Sequence, residues 1–215
     1  MITTYSAKYI DGNGEEITTI LNDGKTLRMK LRNIDFVGDD FDSFELINGE
    51  GNAEIDSFSF FRLSDGSYQL ENYELFVDIP LPIVTKGQTR QGTLKVYLDL
   101  RNHKENKSKK DNLLLALIYG ENQIKSSGAG FFDLEMAALQ RQLPQGDYIK
   151  SCINCRFSDI GPYMGMFGGL GCYRGNKEAY KTLKQNWTIG SKWALLKIVT
   201  ESVQETYLCE EFDLN

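Results

Sequence analysis

The chain has 215 residues, of which 41% are hydrophobic and 25% charged, a globular mix that excludes long disorder. Its 24 Lys and Arg against 30 Asp and Glu leave a net charge of −6, so nucleic acid is not expected as the main partner. The same balance suits a basic protein partner, because opposite fields speed encounter.

Residues 1–10, MITTYSAKYI, lack the basic start and apolar run of a signal peptide. The longest strongly apolar run, Leu113–Tyr119, is far short of the about 20 residues that a membrane helix needs. A cytoplasmic location is therefore expected, with no membrane association and with reduced thiols. The run itself reads as a buried central strand.

In chain order, Ile17–Leu21 and Leu27–Leu31 flank Asn22-Asp23-Gly24, a hairpin signal. A second hairpin is expected from Phe58–Leu63 and Tyr68–Leu70 around Ser64-Asp65-Gly66. Phe76–Val84 contains Pro80 and Pro82, which cannot donate to a ladder, so an edge strand or irregular crossing is expected there. Thr93–Leu100 places Leu94, Val96, Leu98 and Leu100 on one face. Arg101–Asp111, which holds the single histidine, His103, has no apolar residue and reads as a solvated hairpin tip.

Two helices are expected. Phe132, Met136, Leu139 and Leu143 form one helical stripe, stopped by Pro144 and Gly146. Tyr180, Leu183 and Trp187 form the other, starting at Asn176. Trp193–Thr200 and Glu205–Cys209 read as closing strands. The fold class is mostly β with two helices (α+β), with an antiparallel β-sandwich-like body. A single domain is expected, with a seam near 125–130 between the hairpins and a Cys/Gly-containing part.

The distinctive segment is Cys152–Gly175, CINCRFSDIGPYMGMFGGLGCYRG. A C-x2-C turn points two thiolates at one tetrahedral centre, and Cys172 and Cys209 could complete an all-thiolate set. Structural zinc held by Cys152, Cys155, Cys172 and Cys209 is one reading; buried free thiols are the other. A redox role is less favoured, because Arg156–Pro162 cannot open a good helix beside the thiols. The glycines match no nucleotide motif. With Tyr163, Met164, Met166 and Phe167 they read as a partly apolar loop, either closing over a partner or folded onto the core. Ser158, Asp159, Tyr163, Phe167 and Arg174 are the candidate binding residues, and Asp159 and Arg174 are expected to pair across the loop. Asp39, Asp40, Asp42 and Glu45 cluster without the spacing of a calcium loop. No Ser/His/Asp or Cys/His catalytic set can be assembled.

The residues Cys152, Cys155, Phe157, Ser158, Asp159, Cys172, Tyr173, Arg174, Lys177 and Glu178 give C-x2-C-x-F-S-D, then C-[FY]-R and a Lys-Glu helix start. This resembles an uncharacterised bacterial family across residues 148–187, a resemblance that implies no activity. In acidity, size and β-richness the chain is also similar to toxin-immunity proteins. The expected function is a non-enzymatic binding protein of that kind, with the Cys-Gly segment bracing a recognition loop. The alternative is a thiol-dependent enzyme or sensor using Cys152 and Cys155.

Overall fold

The computed structural model describes residues 2–47, 53–101, 112–126, 128, 130–160, 167–188 and 190–214. Among them, two meanders share one long antiparallel sheet. The first runs through β1 (Thr3–Asp11), β2 (Gly14–Asn22), β3 (Leu27–Leu31), β4 (Ile34–Gly38) and β5 (Glu45–Ile47), and ends on the hairpin of β6 (Ser59–Arg62) and β7 (Tyr68–Glu71). The second runs through β8 (Glu74–Thr85), β9 (Gln88–Asp99), β10 (Asn112–Tyr119) and β11 (Asn122–Lys125). The chain returns after β7 to lay β8 beside β1, which joins the meanders into the order β11-β10-β9-β8-β1-β2-β3-β4-β5-β7-β6.

The sheet curls into a half-barrel, so one curled sheet forms the body in place of two facing sheets. Its concave side is read directly from period-two alternation. Tyr5, Ala7 and Tyr9, then Leu75, Val77, Ile79 and Leu81, then Leu94, Val96 and Leu98, all point into one core. The expected turn at Asn22-Asp23-Gly24 is present. The Asp23 carboxylate accepts from the amides of Lys25 and Thr26, and Gly24 takes φ +97°, a conformation that a Cβ would oppose.

Two readings change, and a third is not tested. The Phe76–Val84 segment is part of a regular twelve-residue strand, paired along its length with β9. On its other side β1 covers Glu74–Asp78 and β12 (Tyr148–Ile149) covers Ile83 and Val84, so both prolines fall where no second strand pairs. Leu113–Tyr119 is buried on one face only, and Leu114 is exposed, because helices do not cover the outside of the sheet there. The Arg101–Asp111 tip, His103 included, lies outside the described residues save Arg101.

Helix α1 (Phe132–Gln142) buries the expected stripe of Phe132, Met136 and Leu139 against β10 and β11, and Leu143 follows at its end. The main core therefore takes side chains from both sides of residues 125–130. A second, three-stranded sheet follows, made of β13 (Ser158–Ile160), β14 (Leu170–Cys172) and β15 (Glu201–Val203) in that order. Helices α2 (Lys177–Gln185) and α3 (Ser191–Ile198) pack on each other beside it.

Helix α3 stands where a strand was expected. Leu195, Ile198 and Val199 recur at helical spacing and pack with Tyr173 and Tyr180, and that tertiary contact overrides the β-branched character of Ile198 and Val199. Residues Glu205–Cys209 form a turn followed by irregular chain rather than a strand. Asn176 does precede α2, but its side chain donates to the Ile198 carbonyl (2.7 Å) and ties the two helices instead of capping one.

Candidate functional site

The C-x2-C segment folds as one 3-10 turn, Cys152–Asn154, closed by the Cys155 amide donating to the Cys152 carbonyl at 3.0 Å. Ser158 completes it. Its hydroxyl donates to the carbonyls of both Cys152 and Cys155, and its backbone pairs with Cys172 across β13 and β14. Ser158 is thus part of the turn's scaffold and its hydroxyl is committed inside the protein.

The tail then comes back to this turn. The Cys152 amide donates to the Tyr207 carbonyl (2.7 Å), Ile153 to Glu205 (3.2 Å) and Arg156 to Asp213 (2.7 Å), while Cys155 bridges Leu214. These bonds bring Cys209 from the end of the chain to the C-x2-C turn. Cys152, Cys155 and Cys172 are buried and Cys209 is partly exposed, and all four carry free thiols. Burial pushes the Cys152 thiol well above its usual range, and the neighbouring thiols of Cys209, Cys155 and Cys172 add to the shift. Burial raises Cys172 as well, opposed by the Arg174 backbone N–H that donates to its sulfur. Protonated, buried thiols are poor nucleophiles, which weighs against the redox reading. Among the described residues, no three His, Cys, Asp or Glu side chains are spaced to hold a metal ion.

The expected Asp159–Arg174 pair is replaced by two others. Asp159 takes the Lys184 ammonium at 2.7 Å, and Arg174 pairs with Glu201 while its guanidinium also reaches the Cys209 sulfur. Asp159 additionally accepts from the Tyr180 hydroxyl at 3.3 Å. Tyr180 stacks on Tyr173 at 4.5 Å, which holds α2 over the second sheet. Between this helix and β13 lies an open cleft of ≈ 560 Å³ lined by Arg156, Phe157, Ser158, Asp159, Tyr180 and Lys181, among others.

Phe167 is a core residue, not a loop tip. It meets Phe41 at 4.6 Å and Phe132 at 4.7 Å, and is 2% exposed. Tyr163, with residues 161–166, lies outside the described residues.

Carboxylates that the sequence did not single out surround Phe167. Asp40 accepts its amide at 2.7 Å, and Glu205 accepts the Gly168 amide at 2.8 Å. Burial lifts Glu205 to about 8, helped by Asp133, and lifts Asp40 well above the carboxylate range. Both oxygens of Asp133, in the first turn of α1, are buried without a hydrogen-bond partner. The helix N-terminus offers them favourable partial charge. In the sequence Asp40 stands only as one of a cluster with Asp39, Asp42 and Glu45. Glu205 had been placed on a strand.

One further contact ties the second sheet's flank to the body. Asn22, at the end of β2, donates from Nδ2 to both the Tyr5 hydroxyl and the Gln204 side-chain oxygen, and all three residues are buried.

A family model described as a family of unknown function, DUF6304, matches residues 3–158. The chain belongs to the DUF6304 family. The matched stretch holds the long sheet, α1 and the C-x2-C turn, and ends on the first residue of β13. Cys172, Cys209 and both helices of the second sheet lie beyond it. No curated protein and no solved structure matches the chain. No helix among the described residues is long and apolar enough to cross a membrane.

Proposed function

We propose that this DUF6304 chain is a non-catalytic binding protein whose thiols brace a recognition surface and do not act as reagents. The observation that carries the reading is the open cleft between β13 and α2, beside which the C-x2-C turn and the returning tail are bonded together. Ser158 is spent on the turn, Phe167 on the core and Arg174 on Glu201 and Cys209, so these residues serve the framework. Arg156, Asp159, Tyr180 and Lys181 line the cleft itself. The specific form we name is toxin neutralisation in the cytoplasm, for which the net charge of −6 suits a basic toxin domain.

The test is protection. The chain is co-expressed with the effector domain of any secreted toxin found encoded beside its gene, and growth is followed together with complex formation by size exclusion. Rescue by the wild type, lost in Asp159→Lys with the fold intact by circular dichroism, supports the reading. Failure to rescue or to form a complex sinks the immunity role. Rapid alkylation of Cys152 in the native protein would instead favour the thiol-enzyme alternative.

A further inference from the structure

We infer that the corner between α2 and α3 is a docking surface for an anionic lipid membrane, held by exposed indoles and lysines. The inference goes beyond the partner reading, and the residues that test it, Trp193, Leu196 and Lys197, lie outside the cleft lining.

Two features support it. The first is apolar exposure. Both tryptophans of the chain sit at this corner, Trp187 43% and Trp193 62% exposed. Trp187 follows the end of α2, beyond the turn that buries Tyr180. On α3, Leu195 is buried in the second region's core, while Trp193, Leu196 and Lys197 recur at helical spacing and are all exposed. The helix is thus apolar on two sides, and only one is covered. The second feature is charge. Residues 177–198 hold five lysines against one glutamate. Lys177, Lys181 and Lys184 pair with Glu211, Glu178 and Asp159, and the surface stays positive with those carboxylates counted. The Lys184 ammonium also lies 4.7 Å from the Trp187 ring centroid, so cation and indole share one patch. Residues 1–149, by contrast, hold 16 Lys and Arg against 23 Asp and Glu. An anionic surface therefore attracts this corner and repels the long sheet, which orients the chain.

A lipid surface suits the corner better than an acidic protein does. Three apolar side chains are far fewer than the about 20–30 residues that each side of a stable protein interface supplies. Shallow insertion needs no more, because indole rings settle at headgroup depth and lysines meet lipid phosphates. The lack of a membrane-spanning helix among the described residues does not oppose contact of this kind, although the sequence reading expects no membrane association. So small a footprint gives weak and reversible binding, and the chain exchanges between membrane and solution.

The test mixes the full chain with vesicles of phosphatidylcholine alone or of an equal mixture with phosphatidylglycerol. Binding is read by co-sedimentation and by the blue shift of tryptophan emission, which reports on this corner because the chain has no other tryptophan. Binding with a blue shift is expected on the anionic vesicles only, and salt is expected to reverse it. Lys197→Glu is expected to weaken binding at least about fivefold, and Trp193→Ser/Leu196→Ser at least about tenfold. Circular dichroism checks that both variants fold, and Lys197→Glu decides if the double variant does not. No binding to anionic vesicles, or binding that Lys197→Glu leaves unchanged, overturns the inference. So does equal binding to polyglutamate without a blue shift, which would assign the corner to an acidic macromolecule. Vesicle binding without protection against a toxin defeats only the partner reading, and protection without vesicle binding defeats only this one.

Discussion

The long sheet gathers its buried side chains into one continuous cluster, from Tyr5 on β1 to Phe167 at the edge of the second region. The region after residue 150 divides its own into two small groups around Cys155 and Cys152. The longer strands of the sheet contribute rows of apolar residues to a shared interior, so its stability is spread over many contacts. The second region relies on few and specific contacts: a serine closing a turn, stacked tyrosines, and thiols drawn together by a returning tail. The difference implies that the sheet is buffered against single polar changes and sensitive to volume. The second region should show the opposite sensitivity.

The sharpest way to expose that difference is a cavity in the sheet. Leu75 is fully buried and stands between Tyr9 and Leu98 on the flanking strands. Leu75→Ala is expected to cost about 3 kcal/mol in urea unfolding. Its effect should reach every probe, including tryptophan fluorescence from Trp187 and Trp193. A loss confined to the sheet would mean that the two regions unfold separately.

Next in size is the acidic rim of Phe167. Glu205 titrates near 8 in the folded chain against 4.5 for a free glutamate, so the folded state holds the proton more tightly. Stability is therefore full below pH 4.5, falls as pH rises toward 8, and levels off above that, with a slope of at most about 1.4 kcal/mol per pH unit. Asp40, shifted in the same direction, adds to the fall. Glu205→Gln keeps an acceptor for the Gly168 amide and should be about 2 kcal/mol more stable than the wild type at pH 8, with no gain at pH 4. Melting curves across this range check it, and equal gains at both ends would contradict the assignment.

A smaller loss is expected at Gly171. A Cβ there would lie 2.8 Å from the Tyr173 hydroxyl, on a ring that is 1% exposed and stacked on Tyr180. Gly171→Ala should cost about 1–2 kcal/mol and increase amide exchange in β14 and α2 while leaving β8 and β9 protected. Exchange rising equally in both regions would erase the contrast drawn above. The smallest effect belongs to the outer face of the sheet. Lys95 and Asp78 pair at 2.9 Å with about half of each side chain exposed, and Lys95→Met should change stability by less than about 0.5 kcal/mol.

The sequence made these regions legible to different degrees, for physical reasons. Leu94, Val96, Leu98 and the Phe132–Leu143 stripe declared their faces because burial follows the backbone's own period, two in a strand and 3.6 in a helix. The backbone bonds of Cys152 and Arg156 bring the tail to the C-x2-C turn, as a four-cysteine site would require, but no three of the thiols stand at metal-ligating spacing. What stayed hidden was contact between remote segments. Nothing local told that Phe167 would join Phe41 and Phe132, or that Arg174 would choose Glu201 over Asp159. Helix α3 was missed because Leu195 and Ile198 owe their helical form to the aromatic pair they cover.

The buried amides of Asn22 and Gln204 give the two regions a way to recognise correct docking. Apolar surfaces slide over one another at little cost, because neighbouring positions bury similar area. An amide shut away from water tolerates no such drift, since a shift of one residue strands a donor that the Tyr5 hydroxyl and the Gln204 oxygen now satisfy. The contact joins residues 182 positions apart and works as an alignment key, adding little to the total free energy while rejecting near misses. A chain with leucine at both positions would be expected to keep its stability and lose its single docked arrangement.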